Sequence, residues 1–455
     1  MKQYLAIDIG ASSGRHIVGR LGGGKFETEE VYRFPNGSKT RGGHLVWDAE
    51  RLFSEVKKGI AAAIEKCGNI DSLSIDTWAV DYVLMQGDKE IFPCYAYRDG
   101  RTESAIKQVH AVLPFEKLYE RTGIQFQPFN TVYQLYADKL AGRLEKADGF
   151  LMLPEYLLYK LTGKRVCEYT NATSTGLVNA KTHTFDADII SALGLPARLF
   201  EKQIVQPGAV IGSLKEEVAA EVGGNMTAVL CATHDTASAV LAAPVKSDFD
   251  SPYISSGTWS LLGIEQENAH TDGESMRENF SNEGGPGFTF RWQKNIMGLW
   301  MLQSARKELE LNFIDAEALA RANVCGARVD CNDEAFLAPE SMCAAVREKA
   351  GDIPNGQLLY CIYASLAECY KEALDAMGRK LGKKFKTLNV IGGGSQDKFL
   401  NELTAKAAGV QVVAGPAEAT ALGNLMVQMI ARGEMKDISE GREMIKNSFP
   451  LRVFK

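Results

Sequence analysis

Apolar and polar positions along the first ninety residues change period several times. Tyr4 to Ile9 is almost unbroken apolar, Gly10-Ala11-Ser12-Ser13-Gly14 is a run of turn formers, and Arg15 to Leu21 and Lys25 to Phe34 read as strands. The pattern predicts an antiparallel meander of three strands. Asp48 then precedes a helix in which Leu52, Phe53, Val56, Ile60 and Ile64 recur every three to four positions, and Gly68 ends it. Apolar segments at Leu73 to Ile75 and Asp81 to Met85 add strands to a mixed sheet flanked by helices.

A second cycle begins near Tyr253, where Tyr-Ile-Ser-Ser-Gly-Thr-Trp-Ser-Leu-Leu-Gly-Ile repeats strand, small-residue turn and strand without repeating the sequence. A helix over Leu358 to Leu381, a strand over Leu388 to Ile391, the run Gly392-Gly393-Gly394 and a helix from Gln396 to Ala408 follow. Between the cycles stand Pro244 and the polar cluster Lys246-Ser247-Asp248, which predict a crossover between two domains, 1–243 and 244–455. Two similarly built sheet domains would leave a cleft in which ligands bind and from which closure excludes water.

Composition narrows the function classes. The chain has 455 residues, 45% hydrophobic and 24% charged, enough for more than one core and inconsistent with global disorder. Its formal charge of −6 and lack of a basic reading surface argue against nucleic acid or an anionic membrane as partner, and a monomer or weak homodimer is expected. Lys380 to Lys386 reads as a solvated helix end. Nine cysteines without a CxxC pair suit reduced thiols in a cytoplasm. The first apolar run is interrupted at Asp8 with no cleavage site after it, which speaks against a signal peptide, and no run reaches membrane-spanning length.

Four segments carry candidate chemistry, each with a plainer alternative. Gly19 to Lys25 has P-loop spacing, but Phe26 stands where Ser or Thr is required and a strand pattern follows, so a hairpin turn is the better reading. At the end of the first strand, Asp8 precedes a turn whose backbone amides would cradle phosphate while the acid orients hydrated magnesium; the alternative is a polar hairpin with a turn-stabilising aspartate. The strand Thr227 to Thr233 delivers His234-Asp235-Thr236 to a helix over Ala237 to Leu241, so Asp235 is either a base for a hydroxyl proton or an N-cap. Gly392-Gly393-Gly394 and Ser255-Ser256-Gly257-Thr258 would each let a nucleotide approach the backbone closely, or be tight turns.

Together these segments resemble the FGGY carbohydrate kinases. The match is carried nearly end to end by AIDIGASSGR from Ala6, IDTWAVDYVL from Ile75, YRDGRT from Tyr97, GIQFQPFNTVYQL from Gly123 and EYTNATST from Glu168. It continues through ATHDTASAV from Ala232, SSGTWSLLG from Ser255, NEGG from Asn282, KNIMGLWMLQ from Lys294 and IGGGSQ from Ile391. The resemblance implies an α/β fold of two actin-like, ribonuclease-H-like ATPase domains with mixed sheets flanked by helices and the active site in the interdomain cleft. It implies transfer of the ATP γ-phosphoryl group to the 1-hydroxyl of a ketose, L-rhamnulose foremost and L-fuculose or L-xylulose as rivals. Asp235 would be the base, with His234, Thr236 and Asn295 around the sugar. Ala11, Ser12, Ser13, Gly14, Arg15, Thr258, Gln303 and Gly393 would contact ATP, with Asp8 near Mg2+ through water.

Two positions depart from the family pattern. Ala79, in Trp78-Ala79-Val80-Asp81, stands beside the sugar where glycine is expected, and a need for positive φ there would alter sugar choice. Ala350 stands where a partner for Cys361 is expected, so no disulfide is predicted. A non-catalytic sugar sensor or a chaperone ATPase would reuse the same architecture. The sensor needs a DNA-binding module for which a first strand starting at Tyr4 leaves no room, and the chaperone needs a further peptide-binding domain.

Overall fold

A computed structural model describes residues 1–246 and 249–455; Ser247 and Asp248, part of the polar cluster expected at the domain boundary, lie outside the described residues. The meander forms as the pattern predicts, from Tyr4–Ile9, Ser13–Gly22 and Lys25–Pro35. It is half of a six-stranded sheet in the order Val210–Ser213, Thr227–Val229, Ser72–Thr77, Tyr4–Ile9, Ser13–Gly22, Lys25–Pro35. Every residue of Tyr4–Ile9 and of its parallel neighbour Ser72–Thr77 is buried, as expected of strands covered on both faces. Helix Ala49–Cys67 covers this sheet through Leu52, Val56 and Ile60, which pack with Leu5, Ile7, Leu73 and Ile75. Each such buried aliphatic side chain contributes about 1.5–3 kcal/mol. Asp48 caps the helix by accepting from the Arg51 amide at 3.1 Å, and Gly68 closes it at φ 80°, which only glycine adopts readily.

The P-loop look-alike is a hairpin: Gly22 pairs with Lys25, and Gly23 and Gly24 both take positive φ, at 57° and 75°. One predicted strand sits elsewhere than expected. Tyr82–Gln86 joins Gly149–Met152 and Lys89–Ile91 in a separate three-stranded sheet, because Val80 at φ 69° turns the chain immediately after Ser72–Thr77.

The chain divides into two units, but not at a single point. The first comprises Met1–Ala242, Glu265–Trp292 and Thr420–Ser448; the second comprises Ala243–Ile264, Gln293–Ala419 and Phe449–Lys455. These units do not follow the linear division into 1–243 and 244–455, because two later stretches belong to the first. Buried polar side chains tie Thr420–Ser448 to the first unit. On helix Ala419–Ala431 the fully buried Gln428 donates to the Leu5 carbonyl at 3.0 Å and accepts from Ser72 Oγ at 2.7 Å. Arg442, 3% exposed, donates to the Val240 and Leu241 carbonyls, both at 3.0 Å, at the end of helix Asp235–Leu241. The Arg442 donors satisfy last-turn helix carbonyls that burial would otherwise leave unpaired.

In the second unit, Tyr253–Ser256 pairs antiparallel with Ser260–Gln266 and parallel with Thr387–Ile391, repeating the connectivity around Tyr4–Ile9. Gln411–Ala414 and Arg452–Phe454 extend the sheet on the far side of Thr387–Ile391. Helix Asn355–Leu381 precedes Thr387–Ile391 and ends at Gly382, φ 62°. Among the described residues no helix is long and apolar enough to cross a membrane.

Candidate active site

Parallel pairing of two strands with the same apolar-then-acid pattern puts Asp8 directly beside Asp76, and the antiparallel hairpin puts Arg15 across from Asp8. Arg15 Nε and Nη2 each lie 3.0 Å from Asp8 Oδ2, so this guanidinium is engaged by the acid. The turn between them is rigidly tied: the Gly10 amide donates to Ser13 O at 2.9 Å, and Asn36 holds the Ser12 and Gly10 carbonyls. Ala11 and Ser13 are half-buried and Ser12 is exposed at the tip. Gly14 is a packing requirement, since a Cβ there would meet the Phe34 ring at 2.2 Å.

Asp76 escaped the sequence reading, although its strand repeats the Leu-x-Ile-Asp of the first one. It is fully buried, accepts from Asn424 Nδ2 at 2.6 Å, and leaves Oδ1 buried without a hydrogen-bond partner. Burial, and then the charge of Asp8, raise its pKa well above the ordinary carboxylate value. A buried acid so perturbed by burial and by a neighbouring carboxylate is a candidate for function rather than for stability.

The third acid, Asp235, arrives by a different route. The chain beyond Thr227–Val229 keeps running beside Ser72–Thr77, with the Thr77 amide on Thr233 O at 3.0 Å and a parallel bridge between Thr77 and His234. Buried Glu168 clamps this passage, accepting from the Thr233 amide and hydroxyl at 3.0 and 2.9 Å while it caps helix Tyr169–Ser174. The helix begins at Asp235 itself, two residues before the sequence expectation, and its N-cap is His234 without a side-chain cap bond. Asp235 is thus not a capping residue. Its Oδ1 accepts from the Thr236 amide at 2.6 Å and hydroxyl at 3.2 Å and lies 3.5 Å from His234 Nε2. Oδ2 accepts none of the hydrogen bonds found among the described residues. The Asp235 side chain keeps 30% exposure. Burial raises its pKa above the ordinary carboxylate value, the neighbouring His234 ring works against that, and the charge of Asp8 adds to it.

Ala79 is half-buried, and the left-handed residue of its loop is Val80, not Ala79. A glycine is therefore not required at 79 for backbone reasons. Asp81 fastens the loop: Oδ2 accepts from Trp47 Nε1 at 2.6 Å, Trp78 Nε1 at 2.9 Å and the Tyr97 amide at 3.1 Å, and Oδ1 from Gln134 at 3.0 Å. Burial outweighs these four donors and pushes the Asp81 pKa up to about 6. The indoles of Trp47 and Trp78 lie 4.2 Å apart between centroids, a second feature that periodicity could not reveal.

In the second unit, Thr258 is half-buried in the turn after Tyr253–Ser256, and its carbonyl accepts from the Trp300 amide at 3.0 Å. Gly298, φ 61°, permits this, since a Cβ would approach Ser260 N at 2.5 Å. Gln303 is half-buried on the helix that follows, Leu299–Glu308, and Asn295 is half-buried on strand Phe290–Ile296. Gly393 is exposed between Gly392, φ 80°, and Gly394, where a Cβ would come within 1.9 Å of Ser256 Oγ. That hydroxyl is buried with no hydrogen-bond partner. The glycine run thus packs backbone against backbone at the ends of two parallel strands, and leaves Gly393 accessible to a ligand.

Residues 3–242 match the N-terminal domain, and residues 252–432 the C-terminal domain, of the FGGY family of carbohydrate kinases. The chain is 43% identical over 461 residues to a rhamnulokinase of Oceanobacillus iheyensis, covering 99% of this chain and 97% of that one. It is 40% identical over 470 residues to a rhamnulokinase of Bacillus subtilis, covering 99% and 95%. A gluconate kinase and a ligand-bound xylulose kinase, both from Lactobacillus acidophilus, share the fold at TM-scores of 0.83 and 0.82. Their identities are 18% and 19%, over 100% of this chain and 93% and 94% of theirs. Two α/β units, paired acids at the ends of parallel strands and full-length similarity agree: the chain belongs to the FGGY family of carbohydrate kinases.

Proposed function

We propose that the protein transfers the γ-phosphoryl group of ATP to the 1-hydroxyl of L-rhamnulose, giving L-rhamnulose 1-phosphate for rhamnose catabolism. The observation that carries the reading is Asp235, whose Oδ1 is held by its neighbours while Oδ2 remains available, and whose basicity burial has raised. As the sugar oxygen attacks the γ-phosphorus, Asp235 Oδ2 takes the hydroxyl proton; the O–Pγ bond forms as the bond from Pγ to the ADP oxygen breaks. Positioning and charge neutralisation supply most of such a rate enhancement, which is why hydrogen-bonded fixity matters more here than covalent chemistry. His234, Thr236, Asn295 and the loop at Ala79 orient the sugar. Ala11 to Arg15, Thr258, Gln303 and Gly393 contact the nucleotide.

The acids suit magnesium. The charge of Asp8 adds to the raised pKa of both Asp76 and Asp235, which a nearby cation would offset, and Asp76 Oδ1 has no partner. Asp8, at the end of its strand, is the acid beside which an ion that keeps its waters would sit. When bound with ATP, such an ion neutralises developing phosphate charge. Nine unpaired thiols suit a reducing compartment, and we place the enzyme in the cytoplasm.

The test is ADP release from magnesium ATP with L-rhamnulose, L-fuculose, L-xylulose and glycerol offered separately, beside the Asp235→Asn protein. L-Rhamnulose should be strongly preferred, and Asp235→Asn should fold and lose about 10²–10⁴-fold in turnover. Preference for L-fuculose or L-xylulose would move the substrate, with Ala79 the first residue to revert to glycine. Absence of sugar-dependent ADP would overturn the kinase reading.

A further inference from the structure

The NEGG segment contributes Glu283, the acid of a buried ion pair whose cation, Arg291, stands on strand Phe290–Ile296. Arg291 is 2% exposed, and its Nη2 lies 3.1 Å from Glu283 Oε2 while its Nε donates to Gly284 O at 3.1 Å. Its Nη1 is buried with no hydrogen-bond partner. Burying a guanidinium with a carboxylate seldom stabilises better than an apolar pair of the same volume, least of all with a donor left unsatisfied. What the pair does instead is meet His234: Arg291 Nη2 lies 3.2 Å from the ring's Nδ1. A guanidinium has donors and no acceptor, so in that hydrogen bond Nδ1 is the acceptor and the ring proton is carried by Nε2. Nε2 in turn lies 3.5 Å from Asp235 Oδ1.

We propose that Arg291, anchored by Glu283, is a positioning residue that fixes His234 as its Nε2–H tautomer and so aims an N–H donor at Asp235 Oδ1. The proposal rests on Asp235 being the base. With the Thr236 amide and hydroxyl on the same oxygen, the carboxylate is held from one side and turns Oδ2 to the substrate hydroxyl. The other charged groups facing this pair are Glu283 on the histidine side and Asp8 and Asp76 on the aspartate side. Glu283 Oε2 also lies 3.2 Å from Nδ1 and would take a proton from it only if the Arg291 hydrogen were directed elsewhere.

Ring-nitrogen NMR of the histidine-labelled protein decides the matter in the unaltered enzyme, with one variant used for assignment. The chain has six histidines, and His234→Gln identifies the signals of His234. In the unaltered protein Nδ1 should show a lone-pair shift and Nε2 a protonated one; a proton on Nδ1 would overturn the proposal. Arg291→Met should populate both tautomers and lower kcat by about 10²-fold, the usual cost of a misplaced catalytic group. Its KM for ATP should stay within about twofold, and Arg291→Lys, which keeps a donor, should recover part of the loss. A folded Arg291→Met protein with unchanged kcat and a single tautomer would equally refute it. The tautomer reports on Arg291 alone, and the turnover of Asp235→Asn reports on the base alone, so the two failures are separable.

Discussion

Asp8, Asp76, Asp81 and Asp235 are four acids in one unit with four environments. Asp8 has a guanidinium, Asp76 an amide and one empty oxygen, Asp235 a hydroxyl and a histidine, and Asp81 two indoles. Only Asp8 and Asp235 were legible as chemistry, because each stands beside glycine or hydroxyl residues at a strand end. Asp76 and Asp81 carry no local signature; their roles depend on strand register and on side chains some 350 and 50 residues away in sequence. Asp81 makes a prediction about pH. Its folded pKa of about 6 lies above the ordinary 3.8, so the folded chain holds a proton that the unfolded chain releases. Stability is then greatest below about pH 4, falls by about 3 kcal/mol between pH 4 and 6, and is level above that. The difference between the urea unfolding curves of the unaltered protein and Asp81→Asn isolates this acid, since all others are shared. That difference should shrink or grow only across pH 4 to 6; a difference constant with pH would mean that Asp81 does not titrate there.

Helix Asp235–Leu241 and helix Ala419–Ala431 show how an element is placed by one residue without a side chain. A Cβ on Gly423 would lie 1.8 Å from the Ser238 carbonyl oxygen, so the two backbones touch there and nowhere could a methyl be accommodated by rotating a side chain. The same contact brings Asn424 to Asp76. Gly423→Ala should therefore act twice, by overpacking that costs about 1–3 kcal/mol and by drawing the Asn424 amide off Asp76. Thermal unfolding should fall by several degrees, and kcat should fall in protein that is still folded at the assay temperature. Loss of stability with kcat intact would show that the Asn424 contact does not matter to turnover. Element identity was largely legible: the meander, the Asp48-capped helix, and the strand and helix around Gly392-Gly393-Gly394 lie within a few residues of their expected places. Tyr82–Gln86 was misassigned to the main sheet because its strand character is real and only the positive φ at Val80, which no periodicity reports, redirects it.

At the scale of the chain, a proline and a polar cluster predict a crossover, and the first of several changes of unit lies between Ala242 and Ala243. The return of Glu265–Trp292 and Thr420–Ser448 to the first unit was hidden, because apolar periodicity shows that a helix has a buried face but not which core buries it. What they supply is specific. Without them Asp76 loses Asn424, the Leu5 carbonyl loses Gln428, helix Asp235–Leu241 loses the Arg442 cap, His234 loses Arg291, and the Phe26 amide loses Ser448. Most of these are buried groups whose orphaning costs about 1–3 kcal/mol each, against a total stability of about 5–15 kcal/mol for a typical protein. A fragment of residues 1–243 should consequently fail to unfold cooperatively on heating, despite containing all six strands of its sheet and the base. Added fragment 244–455 should restore a cooperative transition together with sugar-dependent ADP release. A cooperative transition in 1–243 alone, at the temperature of the intact chain, would mean that the returning segments decorate the first unit rather than complete it.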